Sequence, residues 1–165
     1  MKKITTLILI ALSFSAFSQI KLGHINSGDL MRMMPELDSA DQQLQKYVKD
    51  YEEEALTIQT ELQNKYNDFQ ANQNQYSDLI KQTKFKALQD LEARLQEYQQ
   101  NAEKDLQDQR AKLFNPIMDK AKVAIEEVAK ENKYTYIFDT TGGVLLYSTE
   151  SDDITPLVKK KLNLK

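Results

Sequence analysis

Between Pro35 and Gly142 the chain carries a single helix breaker, Pro116, and this gap constrains the fold more than any other feature. Glycine and proline are the residues a helix interior tolerates least, so a stretch of roughly a hundred residues nearly free of both favours helix. The apolar positions agree, recurring at intervals of three and four through Leu44, Val48, Tyr51, Ala55, Ile58 and Leu62. One extra residue then precedes Tyr66, Phe69 and Tyr76, a local drift from a strict seven-residue repeat. This pattern predicts a coiled-coil-like helix.

A second stripe runs through Leu88, Leu91, Leu95, Tyr98, Ala102 and Leu106 to Leu113 and Ile117. Each stripe needs a partner, and the two can serve one another as an antiparallel hairpin. Residues 70–78 between them are rich in Gln and Asn, which favour turns over helix, and Ser77 is placed to cap a helix starting at Asp78. The tip belongs there. At about 1.5 Å per residue the first arm reaches roughly 50 Å, and the second is longer.

Toward the base of the second arm the apolar face widens, with Leu113, Phe114, Ile117, Met118, Ala121 and Ala124 covering two adjacent stripes. Pro116 lacks the N–H that would bond to Lys112, and its ring crowds the preceding turn, which predicts a bend or break near Asn115. A small body then comes from both ends of the chain. Residues 20–26 and 134–139 alternate apolar and polar side chains, and residues 144–147 form a third short β-prone run after the turn Thr141, Gly142 and Gly143. Thr155 and Pro156 carry the signals of a closing helix, as cap and first helical residue.

The expected fold class is therefore α+β and predominantly helical: a hairpin arm over residues 41–132 on a small β body built from 19–40 and 133–165. Three short strands and one short helix make a core smaller than usually stands alone. Pairing of sheet edges between chains is the natural remedy. Leu22, Ile25, Ile117, Ile137, Val144 and Leu146 are the residues expected to build that shared body.

Residues 1–18 read as a secretory signal peptide. Lys2 and Lys3 precede an apolar stretch from Leu7 to Phe17 that ends in the small-residue pattern Ala16, Phe17, Ser18. The stretch is well short of the roughly 20 residues a membrane-spanning helix needs. With no cysteine in the chain, lipid attachment at an N-terminal cysteine, disulfides and thiolate metal sites are excluded. The mature protein is expected to be soluble in the periplasm. Losing two lysines leaves 20 basic residues against 25 acidic ones, a net charge of −5, which argues against a nucleic-acid partner.

The equipment of enzyme chemistry is missing from the sequence. His24 is the one histidine, set in a predicted strand without a second ligand at metal spacing. Carboxylates such as Glu52, Glu53 and Glu54 or Glu126 and Glu127 sit on helices among lysines and glutamines, where a solvated face accounts for them. No phosphate-binding glycine loop, nucleophile elbow or His-Glu-x-x-His helix occurs. The reading is a binding or structural protein that is not an enzyme and uses no cofactor.

Two groups of residues carry a binding interpretation. Lys81, Lys84 and Lys86 follow the predicted tip, whereas residues 41–80 hold eight acids and three bases. Such a basic tip suits weak contact with anionic lipid head groups or acidic segments, although ordinary solvated surface also explains it. Tyr47, Leu56, Leu79 and Phe85 flank the seam, so they either widen it or give apolar contact to a bound chain.

Several segments together resemble the OmpH/Skp family of periplasmic chaperones. They are the start Ile20, Lys21, Leu22, Gly23, His24, Ile25, Asn26; the stretch from Asn115, Pro116 and Ile117 through Asn132; and the closing Tyr136, Ile137, Phe138, Asp139 with Asp153 through Val158. The resemblance spans essentially all of the chain after the signal peptide. It implies a homotrimer in which strands of three chains form a β-barrel and three hairpin arms enclose a cavity. Unfolded outer-membrane β-barrel proteins are held there without ATP until insertion. The best-known chaperone of that family is strongly basic, whereas this chain is acidic.

A structural coiled coil that spaces or tethers envelope components is the competing class, since it would use the same arms passively. The two differ in one behaviour. Only a chaperone suppresses aggregation of an unfolded client.

Overall fold

The computed structural model describes residues 20–143 and 145–164; the signal-peptide segment 1–18 and Val144 lie outside them. The elements, in chain order, are β1 (Leu22–Ile25), α1 (Ser27–Arg32), α2 (Pro35–Asn72), a 3₁₀ turn (Gln73–Gln75), α3 (Asp78–Glu131), β2 (Tyr136–Asp139), a second 3₁₀ turn (Glu150–Asp152) and α4 (Thr155–Lys161). The protein is predominantly helical with one small strand pair. It divides into two compact units, Met34–Lys120 and the described residues on either side of it.

The Met34–Lys120 unit holds α2 and the part of α3 up to Lys120. Pro35 opens α2, where its missing N–H costs nothing, and Glu36 and Asp38 place negative charge in the first turn. The helix therefore starts well before residue 41, the start expected from the apolar stripe. Cross-helix partners run in opposite directions: Glu36 pairs with Lys120, Tyr51 with Asp105 and Asp68 with Lys84. Ile58, Leu88, Leu91 and Ile117 are buried in the seam, as the spacing of their stripes requires. At the tip, the Ser77 hydroxyl accepts from the Ile80 amide at 3.4 Å and its carbonyl from the Lys81 amide at 2.9 Å. Ser77 caps α3 where the sequence places the cap.

Of the bend or break expected near Asn115, the break does not occur, because α3 runs through Pro116. Lys112, Asn115 and Pro116 all lie on the exposed face, so water can serve the carbonyl that the proline leaves without its helical donor. A proline on the solvated side need not end a helix held by burial on its other side.

The remaining unit, built from both ends of the described chain, centres on a parallel pair of strands. Leu22 is in register with Tyr136, Gly23 with Ile137, His24 with Phe138 and Ile25 with Asp139. On its other side β1 bridges to Asp153, with the Ile154 amide donating to the His24 carbonyl at 3.0 Å. Both edges of β1 are thus occupied. Gly23 is where the packing is tightest, since a Cβ there would stand 3.0 Å from Ile137, Ile154 and Tyr134 side-chain atoms alike. Ile25, Leu30, Ala121, Ala124, Val128, Ile154 and Val158 are buried.

Three further differences from the sequence reading have local causes. Residues 27–32 form α1, because the Asn26 side chain accepts from the Asp29 amide at 3.0 Å and so begins a helix inside the expected β segment. The described residues of the third predicted strand, 145–147, are not a strand; β propensity alone does not make one, because a strand forms only against a partner edge. Finally, α4 starts at Thr155 itself, with Asp153 accepting from the Thr155 amide at 2.8 Å. Ile154 occupies the cap position expected of Thr155, and no side chain caps the helix there.

Candidate functional site

The tip half of the Met34–Lys120 unit is the place where side chains of binding character gather. Its seam residue there is Leu88, buried at 6% exposure, and it floors two grooves of opposite chemistry. Positions 84 and 87 lie to one side of it on α3, and positions 85, 89 and 92 to the other, as a 3.6-residue period dictates.

The first groove, about 330 Å³, is lined by Asn64, Lys65, Asp68, Lys84 and Ala87 besides Leu88. Lys84 Nζ stands 2.9 Å from Asp68 Oδ2 and 4.9 Å from the centre of the Tyr76 ring. The Tyr76 hydroxyl donates to the same carboxylate at 3.4 Å, and the Asn72 amide donates to its other oxygen at 2.9 Å. The Lys84 hydrogen bond, foremost, holds the Asp68 carboxyl below its ordinary value, and Asp68 in turn raises the Lys84 ammonium. On this side of the seam the charged groups satisfy one another.

The second groove, about 400 Å³, has aromatic walls from Tyr66, Phe69 and Phe85. Gln70, Gln73 and Gln89 add amide groups, and Glu92 is the one charged residue among its lining. Phe85 is 53% exposed. The Gln70 amide donates to the Tyr66 hydroxyl at 2.7 Å, which orients both side chains along the groove. Phe69 also meets Tyr76 with ring centres 6.5 Å apart, carrying the aromatic wall toward the tip.

The residues expected from sequence are distributed unevenly over these features. Of the four flanking residues, Phe85 lines the aromatic groove; Leu56 and Leu79 are strongly exposed outside it, and Tyr47 is half-buried. The three tip lysines do not act alike. Lys84 is engaged by Asp68, while Lys81 is half-buried and Lys86 exposed. Tyr66, Gln70, Gln73 and Gln89 were not singled out as binding residues. Their signal is present in the sequence as positions beside the seam, but it emerges only once the opposing helix fixes which flank stays open.

The expected body residues also separate. Ile25 is enclosed within its own chain at 1% exposure, and Ile137 is half-buried. Leu22 and Leu146 are exposed, the latter at 97%, alongside exposed Tyr136, Phe138 and Tyr147. Ile117 is buried in the Met34–Lys120 unit. His24 is tied into the backbone, its Nε2 3.2 Å from the Thr149 carbonyl oxygen. Among the described residues no group of acidic or histidine side chains is arranged to hold a metal ion, and no helix is long and apolar enough to cross a membrane.

A family model for outer membrane protein (OmpH-like) matches residues 21–162. The crystal structure of a candidate outer membrane chaperone (OmpH-like) from Caulobacter crescentus CB15 is similar over 88% of this chain and 85% of its own, with a TM-score of 0.74. At 16% identity that likeness concerns the fold. No curated protein matches the chain.

Proposed function

This chain belongs to the OmpH-like outer membrane protein family, and from that premise we propose that it is an ATP-independent periplasmic holdase, binding unfolded outer-membrane β-barrel proteins before their insertion. The observation that carries the reading is the open aromatic and amide groove beside Leu88, on a hairpin whose other flank is lined by the paired Asp68 and Lys84. Scattered apolar contacts such as Phe85, Leu56 and Leu79 suit many weak attachments along one client. Weak individual contacts permit release without an energy source.

The working form in this proposal is a homotrimer. Exposed Leu22, Tyr136, Phe138, Leu146 and Tyr147 supply apolar surface for assembly on the unit that contains the strands. A trimer would set the hairpins around a shared cavity. Contact with anionic lipid, on this reading, falls mainly to Lys81 and Lys86, because Lys84 is held by Asp68.

The test is aggregation of an outer-membrane protein diluted from urea. The mature chain, at a near-stoichiometric amount of trimer, should suppress turbidity. Unchanged turbidity would leave the spacer reading in place and remove the chaperone one. Light scattering giving the mass of a single chain would remove the trimeric cage.

A further inference from the structure

The two grooves beside Leu88 differ in what they can bind. In the first, the one lysine placed on α3 is already neutralised within the hairpin by Asp68, and Tyr76 and Asn72 complete the contacts of that carboxylate. In the second, the aromatic walls are open, with Tyr66 47% and Phe85 53% exposed. Glutamine amides carry both a donor and an acceptor, so they can bond either face of a peptide group. Aromatic walls give large contact area at low cost in side-chain freedom.

From this asymmetry we propose that the groove between Tyr66 and Phe85 is the client-facing wall of the hairpin, and that its occupant is an extended polypeptide segment free of acidic residues and bearing aromatic side chains. The proposal rests on the holdase reading and adds to it a face, a subsite and a preference. The charge of the groove supports the preference. Glu92 is its one charged lining residue, so an acidic segment or an anionic head group would meet a like charge and no cation. A segment without acidic residues avoids that repulsion.

The polar contacts follow the same division. Lys84, Asp68 and Tyr76 contact one another on one flank of the tip, while Tyr66 and Phe85 on the other keep open faces. Binding residues and stabilising residues are then different side chains.

The chain contains no tryptophan, so a tryptophan-bearing probe reports its own environment without background. The probe is a short end-capped peptide alternating Trp with Ser and Thr, with a sister in which Asp replaces half of the Ser and Thr. Added to the intact mature protein, the neutral peptide should show a blue-shifted emission that saturates. Phe85→Ser should weaken it about tenfold, equivalent to about 1.4 kcal/mol, whereas Asn64→Ala on the opposite groove should leave it unchanged. The acidic sister should bind more weakly. Circular dichroism checks that both variants keep their helix content, and the exposure of Phe85 makes that the expected result.

Equal binding of wild type and Phe85→Ser, equal loss in Asn64→Ala, or tighter binding of the acidic sister would overturn the proposal. So would absence of peptide binding in a protein that still suppresses aggregation, which would leave the holdase reading standing without this groove. Peptide binding in a protein that fails to suppress aggregation would do the reverse.

Discussion

The Tyr51 hydroxyl donates a hydrogen bond to the Asp105 carboxylate, joining α2 to α3 midway along their seam. The same phenol ring meets Tyr98 edge to face, with centres 6.5 Å apart and planes at 74°. A buried apolar stripe alone permits sliding by one turn. This polar pair specifies the register that the stripe leaves degenerate.

The hydrogen bond to Asp105, then burial and the negative charge of Asp105, push the Tyr51 phenol up to about 12. A proton bound more tightly in the folded state stabilises fully below the unfolded value near 10, and that contribution fades as pH rises toward 12. In an ultraviolet titration of the folded protein, Tyr51 should ionise late among the eight tyrosines. Tyr51→Phe should remove about one-eighth of the total absorbance change, all of it from the high-pH end. Loss from the main step near pH 10 would show that Asp105 does not hold this proton.

Asp139 leads to a prediction at the opposite end of the pH scale. Partial burial pushes its carboxyl up, but bonds from the Ser27 hydroxyl and amide and from the Thr141 amide and hydroxyl outweigh this and hold it at about 2. Because the folded value is depressed, the stabilisation is present at neutral pH and lost as pH falls from about 4 to 2. Asp139→Asn should cost about 1 kcal/mol at pH 7 after allowing for solvent screening, and the difference should vanish near pH 2. Urea unfolding at the two pH values measures both numbers.

Gly23→Ala should destabilise the strand-bearing unit. Its new Cβ would lie 3.0 Å from atoms of three different side chains, so no single rotamer change relieves the crowding. The expected cost is about 1–3 kcal/mol by urea unfolding. A neutral result would mean that Tyr134, Ile137 and Ile154 can all withdraw together.

Leu146 is 97% exposed, so Leu146→Asp removes nothing from the packing within one chain. Self-association should nevertheless weaken if that side chain is covered by a second copy. Sedimentation or light scattering should show the average mass falling as the protein is diluted, while the helical circular dichroism per residue stays constant. A mass identical to wild type at every concentration would take Leu146 out of the assembly surface.

Much of the helical part was legible because it depends on periodicity, and periodicity survives in a single sequence. The seam residues Ile58, Leu88 and Leu91 and the cap at Ser77 follow from spacing and local chemistry. What escaped depended on partners distant in sequence. Residues 145–147 have strand propensity, but a strand also needs a partner edge, which propensity does not supply, and the Asp68 that engages Lys84 lies 16 positions away on the other helix. Helix α1 was hidden by its length, since six residues are too few to display a period.

The aromatic groove illustrates the same division. Tyr66, Phe69 and Phe85 are visible as apolar positions, but only the packed hairpin decides which of them remain open to solvent. Phe85 stands out in the sequence because it lies off the stripe. Tyr66 was assigned to the stripe itself, and the drift in the repeat just before it turns it partly outward.

The parallel pairing of β1 with β2 has a consequence for the order of events in folding. Contacts of β1 and of Ser27 just after it with β2 join residues more than a hundred positions apart, 112 for Ser27 with Asp139, so the intervening chain must be spanned before they can form. Helix turns arise locally and quickly, whereas closing so long a loop carries a large entropic penalty that a preformed hairpin reduces. The long helices should therefore form before the strands meet. A chain emerging N-terminus first keeps β1 waiting until its last segment arrives, and deletion of residues 136–165 should leave soluble hairpin helix with β1 unpaired.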